Sequence, residues 1–200
     1  MNWITLIAAY LIGGIPFGYL LVRWRTGNDV RAQGSGNIGA TNVLRTTGKA
    51  IGIATLLLDI LKAVLAVWLM DRVSGGNISW MSAAAVTVLL GHAFPVYLKF
   101  AGGKAVASFI GAFLYLTPVA LLASLLVFVA VVRVTRYISL GSIIAAGLFP
   151  LAVYLIAKPE WPVLAAAVFS GAFIVWRHKT NIARLRAGTE NVFTFSKKKP

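Results

Sequence analysis

The chain has no cysteine and very few acidic residues, and both absences restrict its function. Without cysteine it forms no disulfide and no thiolate-based catalytic, zinc or iron–sulfur site. Asp and Glu together number 5 in 200 residues, against 19 Lys and Arg. The five carboxylates are scattered along the sequence, so a dense cage for Mg²⁺ or Ca²⁺ is not expected. No metal or other cofactor is predicted.

Hydrophobic residues make up 59% of the chain and charged residues only 12%, whereas a soluble domain carries about 25% charged residues. This composition indicates an integral membrane protein with little mass outside the bilayer. The net charge of +14 is explained by cytoplasmic loops and contact with anionic membrane lipids. Nucleic acid is not a predicted partner, because the charge has no soluble domain to occupy.

Apolar stretches separated by polar segments predict the membrane spans. They run over Ile4–Val22, Ala50–Met70, Ile78–Leu98, Ala105–Val132, Ser139–Ala157 and Trp161–Trp176. Most have about the 20 residues that cross a bilayer. The stretch Ala105–Val132 is longer, and Thr117-Pro118 interrupts it, so it forms either one tilted helix or two short ones.

The distribution of positive charge favours two short helices. With seven spans and the N-terminus outside, 16 of the 19 Lys and Arg lie in the cytoplasmic segments, which are residues 23–49, 99–104, 133–138 and 177–200. With six spans the basic C-terminal segment moves to the opposite side. We therefore predict an all-α integral membrane protein of about seven transmembrane helices, some short, as one membrane-embedded domain over 1–200. The C-terminus and the active site are expected on the cytoplasmic face.

Four polar segments fall on that face. Residues 34–45, GSGNIGATNVLR, are rich in glycine and small polar side chains and end in Arg45. Such a loop is suited to an anion, because bare backbone N–H groups converge and arginine adds a forked donor. Gly102-Gly103-Lys104 precedes a short helix and is a weaker signal of the same kind.

Two further segments complete the set. In RYISLGS, Ser139 and Ser142 either cap the next helix or contact a ligand. His178 and Asn181, spaced i, i+3, would share one helix face. Inside the second span, Asp59 and Lys62 predict a structural ion pair, since charges at that depth are usually paired. For His92 the more frequent role is hydrogen-bonded packing.

Together these segments resemble the bacterial acyl-phosphate:glycerol-3-phosphate acyltransferase family, PlsY. Three motifs carry the resemblance: GSGNIGATNVLRTTGK at 34–49, GHAFPVYLKFAGGKAVAS at 91–108 and HKTNIARLRAGTE at 178–190. DILK at 59–62 and RYISLGSI at 136–143 also fit. Three residues depart from the family pattern. Ile38 stands where proline is common, Ala105 where glycine is common and Ser108 where threonine is common.

The resemblance implies a reaction of phospholipid synthesis in the bacterial cytoplasmic (inner) membrane. An acyl phosphate would give its fatty acyl group to the 1-hydroxyl of glycerol 3-phosphate, forming lysophosphatidic acid and inorganic phosphate. The enzyme that supplies acyl phosphate is then a candidate partner.

The implied roles are hypotheses for each residue. Arg45 and Lys104, with Gly103, would hold the phosphate of glycerol 3-phosphate. The backbone from Gly36 to Asn42 would cradle the acyl phosphate and stabilise its carbonyl oxygen. This cradle includes Gly39. The side chains expected to assist it are those of Ser35, Asn37, Thr41 and Asn42. His178 and Asn181 would complete the catalytic set with Ser35, and Ser142 would contact substrate. The general base is either His178 or a substrate phosphate oxygen.

Other function classes fit less well. A phosphate transporter would place its anion sites near the midplane, often with internal repeats. A CDP-alcohol-type phosphotransferase would need several aspartates for metal. A purely structural membrane protein does not account for the density of polar motifs.

Overall fold

The computed structural model describes residues 1–193, in which every regular element is helical. The basic residues Lys197–Lys199, expected to contact lipid, lie outside the described residues. By contacts the chain divides into two compact units, Met1–Leu116 and Thr117–Pro200. The sequence did not predict this division. The single domain over 1–200 stays a prediction.

The first unit contains six α-helices. They are α1 (Asn2–Gly14), α2 (Phe17–Thr26), α3 (Ala40–Thr46), α4 (Lys49–Ser74), α5 (Ile78–Ala93) and α6 (Val106–Leu116), with 3₁₀ turns at Val30–Ala32 and Val96–Leu98. Helix α4 packs against α1, α2, α3, α5 and α6 and is therefore the centre of this unit. The side chain of Asn77 caps α5 by accepting from the N–H groups of Ser79 and Trp80.

Glycine allows two of these helix pairs to approach closely. A Cβ at Gly91 of α5 would overlap the carbonyl oxygen of Tyr10 in α1, and one at Gly111 of α6 would overlap that of Ile60 in α4. Small residues at such contacts are typical of membrane helices, where close backbone packing replaces the hydrophobic effect.

The first apolar stretch, predicted as one span, is interrupted in the middle. Helix α1 ends at Gly14, and α2 begins at Phe17 after Pro16, which lacks the N–H that a continuous helix would need. The polar loop that follows is also more structured than expected, because Ala40–Thr46 form the helix α3.

The second unit contains α7 (Pro118–Thr135), α8 (Ile138–Ala152), a π-helical turn at Val153–Ala157, α9 (Trp161–Arg177) and α10 (Lys179–Arg186). Helix α8 packs against both α7 and α9. Gly171 of α9 lies against the carbonyl oxygen of Ala146 in α8. That oxygen lacks its usual helical partner, because the residue four positions later is Pro150, which has no N–H.

The predicted interruption at Thr117-Pro118 is present. Helix α6 ends at Leu116, and α7 starts at Pro118, which suits the first helical position. The halves are unequal, with 11 and 18 residues, so only α6 is short. Among the described residues five segments are long and apolar enough to span a membrane, and α6 and α9 are shorter apolar helices. Seven apolar helical segments therefore correspond to the seven predicted spans.

Candidate active site

In the first unit, the glycine-rich loop is organised by the buried side chain of Asn42. Its Nδ2 donates to the carbonyl oxygens of Val30, Gln33 and Asn37, at 3.3, 3.0 and 2.9 Å, and its Oδ1 accepts from the N–H of Ser35 at 2.8 Å. The amide is therefore committed to the loop itself. Asn42 thus supports the loop, and the substrate contact expected of it from the sequence stays a prediction.

Gly34 is required by the same arrangement. Its φ is +57°, and a Cβ there would overlap Asn42 Oδ1. Beneath the loop, an apolar cluster joins it to the second motif of the sequence, because Leu98 packs with loop and helix residues. The members of this cluster are Val22, Val30, Ile38, Val43 and Leu98. The structure thus brings the first two motifs together.

The backbone donors of Gly36–Asn42 divide into two groups. Three donate within the chain, namely those of Gly36, Gly39 and Asn42. Others donate to no atom of residues 1–193: Asn37, Ile38, Ala40 and Thr41. The predicted cradle therefore has fewer backbone donors for a ligand than the sequence suggested. Ser35 and Arg45 are exposed beside it, while Thr41 is half-buried.

The second motif forms a tight segment against the end of α5. The N–H of Gly103 donates to His92 O at 3.1 Å, and that of Gly102 donates to Ala93 O at 3.2 Å. Both N–H groups therefore donate within the chain, and the substrate contact expected of Gly103 stays a prediction. Gly103 is small because the His92 ring lies against it. Lys104 follows directly and is half-buried.

In the second unit, the centre of the polar cluster is Glu190, a residue without a predicted role. Its Oε1 accepts from Ser139 Oγ at 3.0 Å and from Asn181 Nδ2 at 2.8 Å, and its Oε2 accepts from Arg184 Nε at 2.8 Å. Phe193 N–H also donates to Arg136 O at 2.8 Å. The segment after α10 is therefore fastened to the start of α8.

These hydrogen bonds determine the ionisation of Glu190. Burial alone would raise its pKa, but the hydrogen bonds from Asn181, Arg184 and Ser139, with the positive charge of Arg184, hold the pKa below its ordinary value. Glu190 is therefore a carboxylate at neutral pH, and it orients Asn181.

His178 lies at the junction of α9 and α10 and is buried. Its Nδ1 is 2.8 Å from the carbonyl oxygen of Ile174. A carbonyl only accepts, so Nδ1 carries the proton and Nε2 is the basic nitrogen. This tautomer is the one that a general base acting through Nε2 requires.

The capping role considered for Ser139 and Ser142 is wrong. Helix α8 has Tyr137 at its N-cap without a side-chain hydrogen bond. Ser139 donates to Glu190, and Ser142 Oγ donates to Ile138 O within the helix at 3.0 Å. Ser142 remains a predicted ligand contact.

The sequence-predicted residues thus fall into two groups. The first unit holds Ser35, Gly36, Asn37, Gly39, Thr41, Asn42, Arg45, Gly103 and Lys104, and the second holds Ser142, His178 and Asn181. Glu190 was missed, although the sequence carried a signal. It is one of only five acidic residues and follows a strongly basic helix.

Comparison with known proteins identifies the family. The family model for glycerol-3-phosphate acyltransferase matches residues 3–188. The chain belongs to the glycerol-3-phosphate acyltransferase family. It is 48% identical over 195 residues to the glycerol-3-phosphate acyltransferase of Geobacter sulfurreducens, covering 96% of this chain and 98% of that one. It is 47% identical over 194 residues to that of Trichlorobacter lovleyi, covering 96% of both.

Solved structures agree with this assignment. The fold is similar to the crystal structure of PlsY (YgiH), an integral membrane glycerol 3-phosphate acyltransferase, in its glycerol 3-phosphate form, with a TM-score of 0.91, 37% identity and 96% of both chains covered. The lysophosphatidic acid form matches with a TM-score of 0.88, 35% identity and coverage of 96% of this chain and 95% of that chain. The resemblance drawn from the motifs and the all-α integral membrane fold are confirmed. The protein is a multi-pass membrane acyltransferase of the glycerol-3-phosphate class.

Proposed function

We propose that the protein transfers a fatty acyl group from acyl phosphate to the 1-hydroxyl of glycerol 3-phosphate. The observation that carries this proposal is the pair of solved relatives, which have this fold in a glycerol 3-phosphate form and a lysophosphatidic acid form. One is the proposed acceptor and the other the proposed product. The acyl-phosphate donor is supported by the three sequence motifs.

The reaction needs one bond formed and one broken. The acceptor hydroxyl oxygen bonds to the acyl carbon, and the bond from that carbon to the bridging phosphate oxygen breaks. The leaving group is inorganic phosphate. The hydroxyl proton passes to His178 Nε2 or to a phosphate oxygen of the substrates. Metal is not required in this scheme, because phosphate already activates the acyl group.

Two electrostatic tasks follow from the chemistry. The acceptor phosphate needs fixed positive charge, for which Arg45 and Lys104 are the proposed donors. The carbonyl oxygen gains negative charge during attack, for which the backbone donors at Asn37, Ile38, Ala40 and Thr41 are suited. Ser35, Gly36 and Gly39 shape the same loop.

The second unit supplies the proton acceptor and its support. The hydrogen bond from His178 Nδ1 to Ile174 O leaves Nε2 basic. Glu190 holds Asn181 by accepting from its Nδ2. We propose that the reaction takes place on the cytoplasmic side of the bacterial inner membrane, with contact to the enzyme that supplies acyl phosphate.

A donor comparison tests the proposal. The purified protein in lipid nanodiscs is given labelled glycerol 3-phosphate with one of three donors, in the presence of EDTA. The donors are acyl phosphate, acyl-CoA and the acyl thioester of acyl carrier protein. Lysophosphatidic acid should form with acyl phosphate alone. Product from acyl-CoA but not from acyl phosphate would refute the donor, and loss of activity in EDTA would refute the metal-free scheme.

Two variants then test the residue roles. Arg45→Ala should raise the KM for glycerol 3-phosphate, whereas an unchanged KM would remove Arg45 from that pocket. His178→Ala that retains more than about a tenth of turnover would show that His178 is not an obligatory base, because general base catalysis contributes about 10²–10⁴-fold.

A further inference from the structure

A cluster of three ionisable side chains lies buried in the first unit. Lys62 Nζ is 2.6 Å from Asp59 Oδ1 and 3.1 Å from His92 Nδ1, and Asp59 Oδ1 is 3.7 Å from His92 Nδ1. All three residues are at most 4% exposed. The predicted Asp59–Lys62 ion pair is confirmed, and His92 joins it from α5.

Lys62 also reaches the interruption between α1 and α2. Its Nζ donates to Ile15 O at 2.8 Å, next to Pro16, whose missing N–H breaks the helix. The ammonium group therefore contacts a carbonyl, a carboxylate and an imidazole. The contact with Ile15 O is a hydrogen bond, and the contact with Asp59 is an ion pair.

Nδ1 is the nitrogen of the His92 ring that faces the ion pair, 3.1 Å from Lys62 Nζ and 3.7 Å from Asp59 Oδ1. Asp59 and Lys62 balance one negative charge with one positive charge, as expected for ionisable groups deep in a membrane protein.

The opposite edge of the ring faces the segment that carries Lys104. A Cβ added to Gly103 would overlap His92 Nε2 and would lie 2.9 and 3.2 Å from the ring atoms Cδ2 and Cε1. The backbone oxygen of His92 also accepts from Gly103 N–H at 3.1 Å. His92 thus holds Gly103 both by its ring and by its backbone.

We propose that His92, fixed by Asp59 and Lys62, is a positioning residue that sets the place of Lys104. Lys104 has Gly103 against His92 on one side and the buried Ala105, at φ +63°, on the other. Its Cα is therefore fixed although its side chain is long. The inference rests on the proposed function, in which Lys104 binds the phosphate of glycerol 3-phosphate.

Equilibrium binding of glycerol 3-phosphate to the full chain in nanodiscs, without an acyl donor, measures this effect. His92→Ala should weaken the Kd by roughly ten- to hundredfold, because a displaced Lys104 loses its charge-assisted hydrogen bonding to the phosphate, which is worth about this factor. Lys104→Ala should weaken it at least as much. Leu89→Ala is the matched control, because Leu89 is fully buried one turn earlier on α5. It should lower the Tm with little effect on the Kd.

A double substitution tests the contact itself. Gly103→Ala places a methyl group into the His92 ring and should weaken binding strongly. In the His92→Ala background the methyl group has room, so the double variant should bind no worse than the weaker of the two single variants. Additive losses would show that the two residues act independently and would overturn the inference.

The outcomes separate this inference from the proposed function. If His92→Ala binds like the wild type while Lys104→Ala does not, the inference fails and the phosphate role of Lys104 stands. If both variants bind weakly but the wild type forms no product from acyl phosphate, the donor fails and the inference stands. A wild-type Kd for Lys104→Ala, or no binding by the wild type, overturns the phosphate assignment and the inference together.

Discussion

Glu190 and Ser139 lie 51 positions apart in sequence, yet Ser139 Oγ donates to Glu190 Oε1 at 3.0 Å. The same carboxylate accepts from Asn181 and Arg184. One buried side chain thus joins the start of α8 to α10. In the proposed mechanism this linkage positions Asn181, so its loss should affect stability and turnover together.

Glu190→Gln should lower the free energy of unfolding by about 2 kcal/mol or more, because hydrogen bonds to a charged group contribute about 1.5–3 kcal/mol each and the new NH₂ faces existing donors. Thermal unfolding in detergent measures the change. Glu160→Gln is the matched control, since Glu160 is exposed and its side chain caps nothing. Equal Tm values for the two variants would contradict the linkage.

The lowered pKa of Glu190 predicts a pH dependence of stability. A depressed carboxylate pKa stabilises the folded state above the ordinary value of 4.5, and this contribution is lost as pH falls through that value toward the folded pKa. Between about pH 7 and pH 3, the wild type should therefore lose more Tm than Glu190→Gln. Asp29, whose pKa is lowered chiefly by its hydrogen bond with Arg31, titrates in both proteins and cancels in the difference. Parallel Tm curves would refute the assignment.

The central role of Asn42 in the loop predicts a severe effect of an isosteric change. Asn42→Asp should loosen residues 30–42, because a carboxylate cannot donate to the three carbonyl oxygens that Nδ2 now serves. Hydrogen exchange of the loop and the KM for acyl phosphate should both rise. Asn28→Asp, at an exposed asparagine, should leave both unchanged. Protection of the loop in Asn42→Asp at the wild-type level would show that these hydrogen bonds do not hold it.

The backbone at Ala105 suits the glycine that is common there in the family, and it predicts a stabilising substitution. Ala105 has φ +63°, which costs a non-glycine residue about 1–2 kcal/mol. Ala105→Gly removes this cost and loses about 0.8 kcal/mol of buried methyl. A gain of up to about 1 kcal/mol is expected. Ala107→Gly, inside α6, should instead destabilise the protein. A loss in both variants, measured by thermal unfolding, would exclude strain at Ala105.

The absence of cysteine makes the predicted topology directly testable. Single cysteines at Asn28, Glu160 and Ala187 all lie at exposed positions. With seven spans, a membrane-impermeant maleimide should label Asn28→Cys and Ala187→Cys from the cytoplasmic side and Glu160→Cys from the opposite side. Six spans would exchange the sides of the last two.

Much of the helical framework could be predicted from sequence because apolar runs and Pro118 mark it directly. The interruption at Pro16 was missed, since apolar residues continue on both sides and the polar partner of the broken helix, Lys62, is 47 positions from Ile15. Composition does not show that Ile15 and Lys62 are partners. The helix α3 was missed for the related reason that glycine and small polar residues indicate a loop, whereas tertiary contacts stabilise a short helix there.

The site shows the same division. Motif residues could be named from sequence, but their tasks depend on contacts between distant segments. Gly103 was expected to admit an anion, and the structure places it against His92. Asn42 was expected to face substrate, and its amide holds the loop. Glu190 has no sequence neighbour that reveals Ser139 as its partner.

The most direct test of the account follows the bridging oxygen of the donor. Purified protein in nanodiscs is given acyl phosphate that carries ¹⁸O between carbon and phosphorus, together with glycerol 3-phosphate. Mass spectrometry of the products should show unlabelled lysophosphatidic acid and inorganic phosphate that retains all of the ¹⁸O. Absence of lysophosphatidic acid, or ¹⁸O in the released acyl product instead of in phosphate, would contradict acyl transfer from acyl phosphate.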